Sequence, residues 1–114
     1  METEHLARIY WSDEQVRRGL PAFTRTTDPA WFDPSEQGWS LVCRFHASPR
    51  EQGSPSVAKV AFLMAEAPHN RLIAGAHLSL FERSTRQRAR VEIIECVAQR
   101  CLTCRCNCRA TDVR

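Results

Sequence analysis

The chain has 114 residues and a mass of 13.1 kDa, which bounds it at one domain able to bury roughly two-thirds of its unfolded surface. Its 43% hydrophobic and 25% charged residues are the composition of a soluble globular protein, and the longest apolar run, Val60 to Ala65, falls far short of the roughly 20 residues of a membrane helix. The formal charge of +3 sits entirely after residue 95, where four arginines meet one aspartate; the first 95 residues hold twelve basic and twelve acidic side chains, so a nucleic-acid reading gains nothing from overall charge.

The start, Met1-Glu2-Thr3-Glu4-His5, is acidic with no apolar h-region behind it, so no secretory signal is expected and the protein reads as cytoplasmic. A first strand covers about Leu6 to Trp11. Ser12-Asp13-Glu14-Gln15 has the form of a capping box and Gly19 can stop a short helical turn. Leu20 to Thr24 could be a short strand. From Thr26 to Gly38 the chain carries Asp28-Pro29, Asp33-Pro34 and Gly38, so a long loop is expected there, with Trp31 and Phe32 as its anchors.

Four runs between Trp39 and Ile94 then alternate apolar and polar side chains, which is the signature of strands with one wet face. In the first, Trp39, Leu41, Cys43 and Phe45 share a face while Arg44 and His46 point out. Pro49, Gly53 and Pro55 mark a turn, and Val57 to Ala65 follows with Val60, Phe62 and Met64 on one face. Ala67-Pro68-His69-Asn70 breaks that strand and Gly75 makes another turn. His77 to Arg83 has Leu78 and Leu80 inward, and in Arg88 to Ile93 the residues Ala89, Val91 and Ile93 alternate with charged ones. The basic run from Arg83 to Arg90 reads as a solvated hairpin loop. These segments specify an all-β fold, a small closed six-stranded and mostly antiparallel barrel over residues 1–95, with a short helical turn and a Cys/Arg-rich extension over 96–114.

Five of the six cysteines lie in that extension, as Cys96, Cys101, Cys104, Cys106 and Cys108. Tetrahedral zinc is well served by paired Cys-x-x-Cys turns, yet Cys101-Leu102-Thr103-Cys104 alone has that spacing. A poorly ordered extension, soft-metal (zinc or copper) binding and disulfide pairing all stay open. Cys43, alternating with Leu41 and Phe45, reads as an inert core thiol. His5, His46, His69 and His77 lack metal-ligand spacing. His69 is the best candidate for a special histidine, against the alternative of a turn in which Asn70 tolerates positive φ. The four isolated glycines and the single lysine, Lys59, exclude a phosphate loop, and neither a nucleophile elbow nor paired carboxylates are present. No enzyme activity, cofactor, small-molecule substrate or membrane association is expected.

Ile9-Tyr10-Trp11-Ser12-Asp13-Glu14, followed by Arg18-Gly19-Leu20-Pro21-Ala22-Phe23, resembles the opening of the third, C-terminal β-barrel domain of elongation factor Tu. Val60 to Leu63, Leu72-Ile73-Ala74-Gly75, Leu78 and Leu80-Phe81-Glu82 leading into Ala89-Arg90-Val91 are similar to that domain's final strands. Ala74 stands where the family usually has proline, and Arg83 to Arg88 replaces its Gly-Gly turn. The resemblance implies a stand-alone copy of an accessory barrel, a non-enzymatic, translation-related binding module with a protein or ribonucleoprotein partner. Trp31 and Phe32 are the first candidates for that contact, because interface anchors are rich in aromatics, with His69 beside them. A lid over the open barrel end is the other reading of Trp31 and Phe32. Metal binding through the extension and RNA binding are the alternative functions.

Overall fold

The computed structural model describes residues 4–83 and 86–96, and these form nine elements. In chain order they are β1 (His5–Trp11), α1 (Asp13–Arg18), β2 (Arg25–Trp31), β3 (Trp39–Phe45), α2 (Pro49–Gln52), β4 (Ser56–Phe62), the 3-10 turn η1 (His69–Arg71), β5 (His77–Arg83) and β6 (Arg86–Cys96). The six strands close into an antiparallel barrel in the order β1-β4-β3-β2-β5-β6. The expected fold class is therefore the observed one. The extension after Cys96, with its cysteines at 101, 104, 106 and 108, lies outside the described residues.

Alternation builds the core. Ala7, Ile9 and Trp11 of β1, Leu41, Cys43 and Phe45 of β3, Ala58, Val60 and Phe62 of β4, Leu78 and Leu80 of β5, and Ala89, Val91 and Ile93 of β6 all point inward and are buried. A cylinder this narrow is filled by its own side chains. Trp11 and Phe45 plug one end, stacked at 6.4 Å between ring centroids, and Phe23 packs on Phe45 at 6.2 Å. Trp11 keeps its indole N–H satisfied by donating to Ser56 Oγ at 3.0 Å, and Ser56 in turn donates to the Gly53 carbonyl. Phe62 and Leu72 fill the opposite end.

Ser12 caps α1 with an Oγ that accepts the Gln15 N–H at 3.2 Å, the first half of the expected capping box, but its own N–H is taken by the Arg88 carbonyl and not by Gln15; Gly19 ends α1 at φ +98°. A six-residue helix with no buried residue is too short to persist alone. It is tied down by the Ser12 N–H donating to the Arg88 carbonyl and by Glu14, which pairs with both Arg18 and Arg86. A second helix, α2, replaces the plain turn expected at Pro49. Ser48 caps it through the Glu51 N–H, Pro49 occupies its first turn, and Gly53 closes it at φ +91°.

Three expectations are corrected. Leu20 to Thr24 is not a strand. The strand there is β2, which runs through Asp28-Pro29 and removes most of the long loop. Pro29 is tolerated because the β2–β5 seam is closed by Ala30↔Leu80 and Trp31↔Ser79, so at Pro29 the strand has β3 on one side and an edge-like flank on the other. Met64 does not join Val60 and Phe62 inside, because β4 stops at Phe62 and leaves Met64 exposed.

The third correction concerns Arg88, which belongs to β6 and not to a solvated loop. Leu80 pairs with Ala89 and Phe81 with Gln87, so Arg88 is the extra residue of a β-bulge. Bulges re-aim a side chain, and here the guanidinium turns inward against Asp28, which faces the interior from β2 as Ala30 does. Nη1 lies 3.2 Å from Asp28 Oδ1, both side chains are largely buried, and the Thr26 hydroxyl donates to the other carboxylate oxygen. The Arg88 cation sits 5.7 Å from the Trp11 ring and 5.5 Å from Phe23, while its Nε is buried without a partner among the described residues.

Candidate partner-binding surface

Trp31 closes β2 and Phe32 begins the turn that follows, and this separates the two aromatics that the sequence puts together. Trp31, the last residue of β2, lies on the outer surface edge-on to Phe81, with ring centroids 5.0 Å apart. Gly38 lets the chain cross beneath it: a methyl group there would fall 2.3 Å from Trp31 Cε2. Phe32 folds the other way, over the barrel end, edge-on to Phe62 at 6.0 Å. The turn that follows Phe32 is ordered by Asp33, whose carboxylate accepts from both the backbone N–H and the hydroxyl of Ser35; those bonds hold its pKa below the usual carboxylate value.

His69 reaches the same place from the 3-10 turn. Its ring meets Phe62 at 5.7 Å, and Nε2 donates to the Met64 carbonyl at 2.9 Å, since a carbonyl can only accept. Arg71 lies 4.0 Å over the Phe32 ring and pairs with Glu36 at 2.9 Å. Phe32 and His69 are thus brought together on Phe62, and Trp31 is not part of their cluster. Beneath them His5 is 2% exposed, with Nδ1 lacking a partner among the described residues; burial pushes its imidazole below the ordinary pKa, and His69 acts in the same direction.

Around this end exposed apolar side chains stand among charged ones such as Glu66 and Arg71. Leu63, Met64 and Ile73 are 51%, 43% and 37% exposed, and they are three of the five large hydrophobic side chains exposed among the described residues. The signal that could have found Leu63 and Met64 is the run Phe62-Leu63-Met64, which continues past the point where a strand of this barrel has room to pair. No family model, curated protein or solved structure matches the chain.

A second feature, invisible in the sequence, lies on the outer wall. Register sets Arg25 opposite Arg44, Arg44 opposite Lys59, and Lys59 opposite Leu6, so three cations stand side by side on β2, β3 and β4. All three are exposed. Beside them a groove of about 230 Å³ is lined by Leu6, Arg44, Phe45, His46, Val57 and Lys59. The Glu4 carboxylate pairs with Arg44. Further round, Arg8, Tyr10, Arg90 and Glu92 form a ladder on β1 and β6 in which Arg8 pairs with Glu92, Tyr10 donates to Glu92 and Arg90 stacks on Tyr10 at 4.6 Å.

Among the described residues no three His, Cys, Asp or Glu side chains converge as a metal site would require. No helix among them is long and apolar enough to cross a membrane. Cys43 is buried, and burial pushes its thiol far up from its ordinary pKa, with Asp28 acting in the same sense. A thiol held protonated is neither nucleophile nor metal ligand.

Proposed function

We propose that the barrel is a non-enzymatic, cytoplasmic binding module that contacts a protein or ribonucleoprotein partner through the end bearing Phe32, His69, Leu63 and Met64. The observation that carries this reading is that three of the five large exposed hydrophobic side chains among the described residues, Leu63, Met64 and Ile73, lie on the segments that follow Phe62 and the 3-10 turn, and exposed apolar side chains gathered on the loops of one end favour a contact surface. A narrow, filled barrel offers rims and walls for recognition. The resemblance of its opening and closing strands to the third domain of elongation factor Tu supports an accessory role in the same direction. Fold alone assigns no function, so the weight rests on the surface. Within this reading Phe32 acts as support, covered by Arg71 and packed on Phe62, while Leu63 and Met64 make the contact.

The test is affinity capture from the native cell with the full-length protein and with a Leu63→Asp/Met64→Asp variant, each with and without nuclease. Both side chains are solvent-facing, so the variant keeps the thermal transition of the parent. A discrete set of proteins that survives nuclease and is lost with the variant supports a protein partner; a set lost to nuclease as well supports a ribonucleoprotein. Identical capture by parent and variant would refute the assignment of this end.

A further inference from the structure

We propose that the outer wall formed by β2, β3 and β4 is a second binding surface, and that its ligand is an acidic peptide segment of a partner protein carrying carboxylates two residues apart beside an aliphatic side chain. The argument starts from register. Arg25, Arg44 and Lys59 occupy mutually opposed positions on three adjacent strands, and neighbouring strands lie about 4.8 Å apart, so three positive charges span about 10 Å. Like charges directly opposed on a sheet face oppose folding. Among the described residues Glu4 is the one carboxylate that meets the row, and it sits on Arg44; Arg25 and Lys59 form no ion pair there. The ladder on β1 and β6, where each arginine has a carboxylate or an aromatic ring, shows how the same barrel treats cations elsewhere.

Size and lining select the ligand class. At about 230 Å³ the groove is below the range of roughly 300–1,000 Å³ typical of small-molecule sites, and it suits one or two side chains of a longer partner. Leu6 and the exposed Val57 offer an aliphatic contact beside the cations. Phe45 is 5% exposed and offers no face to a nucleobase, which leaves the exposed imidazole of His46 as the ring in the lining, and the oligouridylate probe below tests whether a base stacks there. Alternate side chains of an extended segment are about 6.5–7 Å apart, so two carboxylates at that spacing each fall between two neighbouring cations of the row. Glu4 on Arg44 demonstrates that a carboxylate is accommodated there, and an incoming segment would exchange with it.

Fluorescence anisotropy on the full-length protein tests this with three labelled probes: a ten-residue peptide with aspartate at alternate positions and a central leucine, the same peptide with asparagine for aspartate, and oligouridylate. The aspartate peptide is expected to bind best. Lys59→Glu should weaken it at least about tenfold, while Arg90→Glu, the same charge change on the opposite strand β6, should alter it less than about twofold. Lys59→Gln, which relieves the like-charge opposition, should keep the parent's thermal stability and still weaken binding, separating recognition from folding. Equal weakening by Arg90→Glu, equal binding of the asparagine peptide, absence of binding, or tighter binding of oligouridylate would each overturn the proposal.

Discussion

Removing the Arg88 guanidinium tests the bulge that carries it. In Arg88→Met the aliphatic stem is kept, so packing against Trp11 and Phe23 changes little, but Asp28 loses its ion-pair partner inside the barrel. The two side chains are 17% and 11% exposed, which places the pair with buried rather than surface ion pairs. Breaking a buried pair from one side costs about 3–5 kcal/mol, whereas exposed pairs contribute about 0–1 kcal/mol. Loss of the cation's contact with two rings adds about 0.5–1 kcal/mol, and relief of the unpartnered Nε returns about 1–3 kcal/mol. The balance is a loss of about 2–4 kcal/mol, a large share of the 5–15 kcal/mol typical of a domain. At about 4–8 °C per kcal/mol for this size, the melting point should fall by at least about 8 °C. Urea unfolding of Arg88→Met, Asp28→Leu and the double variant measures it. The double variant should recover most of the loss, because two apolar side chains leave no unpaired charge inside. A single-variant cost below about 1 kcal/mol, or a double variant as unstable as the two singles added together, would refute the buried-pair reasoning.

Four further outcomes are expected. His5 has its folded-state pKa depressed below 6.5, so folding favours the neutral ring; the stability this contributes is complete above pH 6.5 and is lost as pH falls toward the folded value. Urea midpoints at pH 7.5 and pH 5 should therefore diverge more for the parent than for His5→Leu. Cys43 should resist iodoacetamide at pH 8 in the native protein and react once urea unfolds it, as read by mass spectrometry of its peptide. Gly38→Ala drives a methyl group into the Trp31 ring and should cost about 1–3 kcal/mol, with a shift in tryptophan fluorescence as the ring leaves Phe81. Ser48→Ala removes the α2 cap and should cost about 1 kcal/mol in the same unfolding assay.

What could be read from the residues alone follows from where alternation survives. Leu41, Cys43 and Phe45 of β3, Leu78 and Leu80 of β5, and Ala89, Val91 and Ile93 of β6 keep the alternation, and those faces are legible without coordinates. β2 breaks the rule twice. Its inward position at Asp28 is an ion-pair partner, and Pro29 sits on an edge-like flank, so a strand carries the residues of a turn. The missing partner explains the disguise: an inward aspartate makes sense only once Arg88 is known to face it, and Arg88 faces it only because a bulge offsets the β5–β6 register. That offset depends on pairing between strands, which a single segment's periodicity does not encode.

The same limit governs the surfaces. Trp31 ends β2 and Phe32 opens the turn after it, so neighbours in sequence diverge, one toward Phe81 and the other toward Phe62, while Phe32 and His69, 37 positions apart, converge. Arg25, Arg44 and Lys59 are separated by stretches that give no hint of proximity, and they become a row because three strands close side by side. A formally neutral body can thus hold a concentrated positive wall, since net charge sums over faces and recognition does not. The Phe62 end and the basic wall are built from different residues. A charge change on the wall and an aspartate at Leu63 should therefore act on separate partners, and additive effects of the two in one protein are the signature of two independent surfaces.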